Sequence, residues 1–211
     1  TPTHAVEELS EIEVVGTSLL PGLEIEEEKL PYEVRSLSSE NLGNETSLGI
    51  TDVLNQSIPG VFTNEVQGSP YQGDVTFRGF RASSILGAAQ GLSVYIDGIR
   101  INEPFGDIVN WDMIPEFALD NMSLIPGSNP MYGLNTLGGA LSLTTKSGIS
   151  HSGKVARVSF GSFNRKKVDF SIGGQFSGSS GGNYFLSASH FDESGWRDYS
   201  DGKVSNFFGK V

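Results

Sequence analysis

The sequence predicts an α+β fold in which a helix and short strands are followed by an antiparallel meander. Three observations support this prediction. Apolar residues recur at the three- and four-residue steps of one helix face, namely at Ile50, Val53, Leu54 and Ile58. The dipeptide Asp97-Gly98 stands between two alternating apolar segments, a pattern typical of a tight hairpin. After residue 148, apolar and polar residues alternate over several short segments.

The composition excludes several functional classes. Among 211 residues there are 25 Asp and Glu against 14 Lys and Arg, which gives a net charge of -11. The basic residues do not cluster on one face, and this argues against a nucleic-acid partner. The absence of cysteine excludes thiolate metal sites, redox pairs and disulfides. No segment approaches the roughly 18 continuous apolar residues of a transmembrane helix. The 27 glycines and nine prolines favour short strands and tight turns.

The N-terminal third begins with little regular pattern. Residues 1–31 are rich in Glu and are expected to be flexible and extended, with strand character only at 12–15. Residues 32–38 are predicted to form a first short strand. The helix that follows should end at Pro59-Gly60, because proline cannot continue the backbone ladder and glycine accepts the turn.

From Val61 onwards the pattern changes to short strands. Residues 75–80 alternate and are predicted to form one strand, whereas 81–91 is predicted to be a loop of small residues. The remaining elements are expected in this order: the Asp97-Gly98 hairpin over 92–102, a loop over 102–113, a weak helix over 114–119, and strands at 122–125 and 140–145.

The pattern of apolar and polar residues becomes regularly alternating after residues 146–148, and we place a domain boundary there. Three alternating strands are predicted beyond it, over 154–160, 168–176 and from 184 to 191. In the second strand the apolar side chains, Val168 and Phe170 among them, fall on one side and polar side chains on the other. Such alternation fits a membrane barrel, but taken by itself it favours a soluble sheet with one solvated face.

Several motifs, in this order and spacing, resemble the plug of TonB-dependent outer-membrane receptors. The segment 11–17 (EIEVVGT) resembles the TonB box. The other matching segments are DVLNQSIPGV at 52–61, FRGF at 77–80, VYIDGIRIN at 94–102 and SLIPGSNPMYGLNTLGGALSLTTKSG at 123–148. Each motif is weak alone, and their order makes the resemblance specific over about residues 11–146.

The resemblance implies an α+β plug domain with a small mixed β-sheet, followed by the first antiparallel strands of a transmembrane β-barrel. The domains expected are a flexible segment with the TonB box at 1–31, a plug at 32–148 and the start of the barrel at 149–211. Family barrels have 22 strands of about 10 residues each. The 65 residues after Lys146 are too few for that number. We therefore expect an incomplete barrel.

By resemblance, the N-terminal segment contacts a TonB protein of the inner-membrane energising complex. The residues implied are Glu11, Ile12, Glu13, Val14, Val15, Gly16 and Thr17. A β-prone segment can add to the sheet edge of a partner. The same residues could instead form an ordinary N-terminal strand of the plug. The family also implies a plug–barrel contact for Arg78, and this chain has Ile125-Pro126-Gly127 where a second arginine is usual.

The resemblance implies that a small-molecule substrate, such as a metal chelate, meets upward loops at 67–73, 81–90 and 103–111. The candidate contacts are Tyr71, Gln72, Gln90, Phe105, Asn110 and Trp111, for which ordinary loop packing is the alternative. Siderophore, metal chelate, cobalamin and sugar all remain open. The expected location is the cell outer membrane, with outer-membrane lipid as a further partner.

No catalytic constellation is evident, so the sequence predicts a protein that is not an enzyme and has no cofactor. The three histidines, His4, His151 and His190, lack ligand spacing. The function expected from the resemblance is TonB-dependent active uptake of a scarce nutrient. A soluble β-rich binding or adhesion module is the alternative.

Overall fold

The computed structural model describes residues 34–39, 49–65, 68–128, 130–176 and 181–211. They include helix α1 (Ile50–Ser57) and short 3-10 helices at Trp111–Met113, Glu116–Ala118 and Pro130–Tyr132. The strands are β1 (Arg35–Ser38), β2 (Val61–Glu65), β3 (Gly73–Phe77), β4 (Phe80–Ser83), β5 (Leu92–Ile96), β6 (Ile99–Arg100), β7 (Leu119–Pro126), β8 (Gly139–Thr145), β9 (Gly153–Gly161), β10 (Arg165–Gln175), β11 (Asn183–Glu193) and β12 (Gly202–Lys210).

A mixed sheet of five strands forms the centre of the N-terminal part, in the order β1-β7-β8-β5-β6. Strands β5 and β8 are parallel, and the other neighbours are antiparallel. The predicted hairpin is confirmed, since Asp97 and Gly98 have φ angles of 47° and 81° and β5 pairs directly with β6. These positive angles are those that a two-residue turn between twisted strands requires.

The helix packs its predicted face into the core. Ile50, Val53, Leu54 and Ile58 are all buried, together with residues of the mixed sheet such as Leu143 and residues of strand β3 such as Val75. The helix ends before Pro59, and Gly60 has a φ of 87°. The spacing of apolar residues therefore predicted both the helix and the side that it buries.

A three-stranded sheet, β2-β3-β4, corrects one expectation. Residues 75–80 do not form one strand, because the chain reverses at Arg78-Gly79 and pairs Phe77 with Phe80. Arg78 and Gly79 have φ angles of 50° and 87°, which again suits a two-residue hairpin turn. Consequently the first residues of the predicted loop 81–91 belong to β4.

The last four strands form a continuous antiparallel meander, β9-β10-β11-β12. The sequence predicted the first three of them and missed β12. In β12 both faces carry apolar residues, since adjacent Phe207 and Phe208 point in opposite directions, so its alternation is weak.

In the meander, polar side chains are buried and apolar side chains are exposed, which is the reverse of the burial in a soluble sheet. On β10, Asp169 is 2% exposed and Ser171 is buried, whereas the intervening Phe170 is 43% exposed. The exposed apolar side continues across the neighbouring strands through Val158, Val168, Leu186 and Phe207. A soluble sheet with a solvated polar face requires the opposite arrangement, so that alternative is wrong for these strands.

The buried side of the meander packs against the N-terminal part. Tyr71 contacts Phe191 with ring centroids 4.7 Å apart. Lys167 Nζ donates a hydrogen bond to Glu116 at 3.0 Å. In the part of the chain that the structure describes, no helix has the length and apolar character needed to cross a bilayer.

Candidate functional site

Three loops meet at one end of the mixed sheet, and we call them the apical loops (residues 84–91, 102–110 and 133–138). Because β5 and β8 run parallel, loops 84–91 and 133–138 enter the sheet together at Leu92 and Gly139. The Asp97-Gly98 turn lies at the other end of β5. Loop 102–110 follows β6, which leads back from that turn beside β5. The apical loops therefore lie opposite the turn.

The meander defines the direction in which these loops face. Asp97 contacts Lys210, the last residue of β12, and Gly148 contacts Asn183, the first residue of β11. The opposite end of the meander carries the turn after β9 and the loop after β11, which meet where Ser194 N–H donates to the Phe163 carbonyl. The apical loops thus face the end of the meander that carries these two connections.

Hydrogen bonds join the apical loops to each other. Asp107 accepts from Arg100 at 2.8 Å and from the Asn135 side chain at 2.6 Å, so it links the second and third loops. The amides of Leu137 and Gly138 both donate to the Gly91 carbonyl, which joins the third loop to the first. The three loops consequently form one continuous surface.

Apolar side chains project from this surface. Phe105 is 77% exposed and Leu134 is 86% exposed, and Leu86 and Leu137 are also exposed. A side-chain atom of Leu86 lies so close to Gly106 that a Cβ there would clash with it, which shows that the first two loops pack together. A cluster of exposed apolar groups at a loop end is a feature of binding surfaces.

The predicted substrate contacts occupy different depths in this region. Phe105 is exposed. Gln90 is half-buried. Its side-chain oxygen accepts from the Ser83 N–H at 2.8 Å and its side-chain nitrogen donates to the Ser83 carbonyl at 3.4 Å, so it stabilises the conformation of the first loop. Asn110 is also half-buried and donates to Glu103 at 3.1 Å. Contact with a ligand by these residues stays a prediction.

Trp111 belongs to the core beneath the loops. It is 1% exposed, and its indole N–H donates to the Ala82 carbonyl at 3.1 Å. The neighbouring Val109 N–H donates to Ser83, so this segment and β4 are tied together. The position of Trp111 indicates that it supports the loops from below.

Tyr71 and Gln72 lie apart from the apical loops. Tyr71 is buried between the N-terminal part and Phe191 of β11, and Gln72 beside it is half-buried. Burial raises the pKa of Tyr71 to about 12. The tyrosine side chain thus remains neutral at physiological pH and contributes packing to the contact with the meander.

Arg78 lies at the β3–β4 turn, exposed, with its guanidinium 5.0 Å from the centre of the Phe77 ring. A cleft of about 410 Å³ opens beside it and is also lined by Arg35, Leu124 and Pro126. The barrel contact predicted for Arg78 stays a prediction. Among the described residues, no group of three or more side chains suited to metal binding was found.

Sequence reasoning missed the contribution of loop 133–138. Leu134, Asn135 and Leu137 belong to the segment 123–148, which was used only for the family resemblance. The unbroken run of uncharged residues from 132 to 145 gave no indication that leucines there point outward. At the start of β8, Gly138 and Gly139 pass so close to Phe80 and the Ile125 carbonyl that a Cβ would clash, and Leu134 and Leu137 before them remain on the surface.

Comparison with known proteins identifies this arrangement. Residues 26–140 match the family described as TonB-dependent Receptor Plug Domain, and this match spans more than half of the 211-residue chain. The chain belongs to the TonB-dependent receptor plug family. The mixed sheet, α1 and the apical loops are therefore the plug.

Individual relatives support the same assignment. The ferric aerobactin receptor of Klebsiella pneumoniae is 29% identical over 99 residues, which are 47% of this chain and 12% of that protein. The pyoverdine outer membrane receptor of Pseudomonas aeruginosa, bound to pyoverdine, has a TM-score of 0.62 and 17% identity over 85% of this chain and 25% of its own. The ferric yersiniabactin uptake receptor of Yersinia pestis has a TM-score of 0.53 and 15% identity over 84% of this chain and 28% of its own.

These matches confirm the predicted fold class. The two structural matches cover more than four-fifths of the chain, so they include the meander as well as the plug. Strands β9–β12 are accordingly the barrel strands of this fold, and the described residues do not close a barrel. The chain spans about a quarter of the length of these two receptors. The predicted TonB-binding segment, Glu11 to Thr17, lies outside the described residues.

Proposed function

We propose that this chain is the plug and the first four barrel strands of an outer-membrane receptor that takes up a scarce nutrient in a TonB-dependent manner. The proposed substrate is a small molecule, and an iron chelate is favoured because the similar proteins include a ferric aerobactin receptor and a ferric yersiniabactin uptake receptor. The proposed role is transport and not catalysis.

The observation that supports this proposal most directly is the inverted burial of the meander. Asp169 and Ser171 face the plug, and Val168 and Phe170 face outward. A sheet that encloses a polar plug and presents an apolar surface is suited to a bilayer, in which lipid contacts the outward side chains. Full-length receptor should therefore fractionate with the outer membrane and require detergent for extraction. Recovery in the soluble fraction would favour a soluble binding module.

The ligand is proposed to approach the apical loops, because they face the end of the meander opposite the Asp97-Gly98 turn. Phe105 offers direct apolar contact, while Gln90 and Asn110 provide oriented amides and shape the loops. Trp111 supports them from the core. Tyr71 and Gln72 are proposed to act at the junction with β11. A displacement of the plug would change the contact between Tyr71 and Phe191 there.

Energy for uptake is proposed to come from TonB. Residues Glu11 to Thr17 are β-prone and could pair as an added strand with TonB, a mode in which main-chain hydrogen bonds supply affinity. Arg78, exposed at the β3–β4 turn, is proposed to contact barrel strands that follow β12. Such a contact would keep the plug in place until TonB acts.

The test of TonB coupling is Val14→Pro in the full-length receptor, with Val6→Pro as the matched control outside the segment. Proline removes a backbone donor and fixes φ, so it should disrupt strand addition. We expect Val14→Pro to reach the cell surface and to bind substrate, yet to lose energy-dependent uptake. Val6→Pro should transport normally.

Two outcomes contradict this assignment. Normal uptake by Val14→Pro would exclude the segment as the TonB-binding element. Loss of surface binding together with uptake would show that the segment is part of the plug structure instead.

A further inference from the structure

The apical loops contain no Lys or Arg. Of their 23 residues only Glu103 and Asp107 are charged, and both are acidic. Two arginines on adjoining strands are already paired, namely Arg100 of β6 with Asp107 at 2.8 Å and Arg81 of β4 with Asp74 at 3.6 Å. Within the part of the chain that the structure describes, the apical loops therefore offer a ligand no basic side chain of their own, and these two neighbouring arginines are engaged.

The two carboxylates are themselves engaged. Asp107 bonds both Arg100 and Asn135, and Glu103 accepts from Asn110. They stabilise the loops and leave a weak negative potential above them. A polyanionic ligand would have to approach this potential without a compensating cation, and repulsion between like charges opposes such an approach.

The exposed groups of the surface are apolar. Leu86, Phe105, Leu134 and Leu137 project from all three loops, and these loops are joined by hydrogen bonds into one platform. Apolar side chains and a few amides can contact an apolar or amide-rich molecule without a penalty for desolvating charge.

We infer that this surface selects a neutral or positively charged chelate with an apolar exterior, and discriminates against polyanionic chelates. This inference rests on the proposed function and specifies the substrate class for the same site. The combination that points to it is an exposed apolar platform with acidic groups and no available basic ones.

The experiment measures binding of two ferric complexes to the full-length receptor in outer membranes. One probe is an uncharged ferric tris-hydroxamate, and the other is a ferric tris-catecholate with three negative charges. We expect the uncharged complex to bind at least about tenfold more tightly, a difference of about 1.4 kcal/mol.

Two variants locate the source of the preference. Phe105→Lys places a cation on the platform and removes an apolar contact, so it should weaken binding of the tris-hydroxamate and strengthen binding of the tris-catecholate. Ile99→Lys is the matched control, because Ile99 is exposed next to the Asp97-Gly98 turn at the opposite end of the plug. It should change neither affinity.

The remaining outcomes overturn the inference in distinguishable ways. Tighter binding of the tris-catecholate by the unaltered receptor, or an unchanged ratio in Phe105→Lys, would refute selection by the apical loops and leave the transport function standing. Failure to bind either complex, with no energy-dependent iron uptake by cells, would refute the proposed iron-chelate function and this inference with it.

Discussion

The Nζ atom of Lys210 lies 3.0 Å from Oδ2 of Asp97, and this contact joins the last strand of the barrel portion to the hairpin turn of the plug. Asp97 also accepts hydrogen bonds from the main-chain N–H of Thr145, at 2.8 Å, and from its hydroxyl. The residue that makes the turn geometrically possible therefore also fastens β8 and β12 to it.

Replacement of Asp97 should separate these roles. Asp97→Asn tolerates positive φ and keeps an oxygen acceptor, whereas Asp97→Ala loses the acceptors and strains the turn. We expect Asp97→Ala to cost about 1.5–3 kcal/mol of stability, the usual range for hydrogen bonds to a charged group, and Asp97→Asn to cost less. Amide hydrogen exchange at Thr145 in the full receptor measures the local loss. Equal protection in all three proteins would contradict the proposed fastening.

The acidity of Asp97 gives a pH-dependent prediction. Burial acts to raise its pKa, but hydrogen bonds from Thr145 and the Lys210 ammonium outweigh burial and lower the pKa below the ordinary 3.8. Because the folded-state pKa is lowered, the carboxylate stabilises the fold above the unfolded-state value, and this stabilisation is lost as pH falls through the lower folded-state value. The carboxyl carbon NMR shift should titrate with a midpoint below 3.8. Lys210→Met should move that midpoint upward, and an unchanged midpoint would exclude the contact.

The ion pair between Glu116 and Lys167 is a second junction between plug and barrel. Their side chains are largely buried and 3.0 Å apart. Lys167→Met should leave the Glu116 carboxylate buried without its partner, with a cost on the order of 2 kcal/mol or more. The double variant with Glu116→Gln should recover part of that loss. Lys203, in an exposed pair with Asp192, is the control, and Lys203→Met should have no measurable effect on thermal unfolding.

Tyr71 allows packing to be distinguished from ligand contact. Its hydroxyl is buried and has no hydrogen-bond partner in the described part of the chain. Tyr71→Phe should therefore be neutral or slightly stabilising, because it removes an unsatisfied polar group. Tyr71→Ala should cost about 3–5 kcal/mol through the lost aromatic packing on Phe191. If Tyr71→Phe abolished substrate binding without changing stability, the hydroxyl would be a ligand contact instead.

The outward face of β10 gives a prediction about the membrane. Phe170 points outward near the middle of the strand. Phe170→Arg should cost about 2–4 kcal/mol if this position lies near the bilayer midplane, and insertion of full-length receptor into outer membranes should fall accordingly. Ser205→Arg on β12 is the control, because Ser205 pairs with His190 and so lies two residues closer to the end of the strands than the level of Phe170; it should be tolerated better. Equal insertion of both variants would contradict a lipid-facing surface.

Local chemistry made several elements predictable. The helix face at Ile50 to Ile58 follows from spacing, and the Asp97-Gly98 hairpin follows from a dipeptide that accepts positive φ. The turn at Arg78-Gly79 was not predicted, because arginine has no local preference for positive φ and the surrounding residues alternate through it. The strand β12 was missed because it has apolar residues on both faces.

The candidate site was predicted only in part. The family resemblance placed Phe105 in an upward loop, and it is 77% exposed there, while its contact with a ligand stays a prediction. The resemblance also placed Trp111 in an upward loop. Its side chain is instead buried, and its indole N–H donates a hydrogen bond to the Ala82 carbonyl. An aromatic residue in a loop segment can face the core or the solvent, and the sequence of the segment does not distinguish the two.

The sequence by itself determined the helix, the hairpin and the alternation of β9–β11, because each depends on residues that are neighbours along the chain. Which face of the meander is buried was decided only by tertiary structure, since alternation is the same for a soluble sheet and for a sheet around a plug. Asp169 faces inward because the plug supplies a polar neighbourhood there, and Phe170 consequently faces outward. The apical platform likewise required three loops, distant in sequence, to be joined through Gly91 and Asp107.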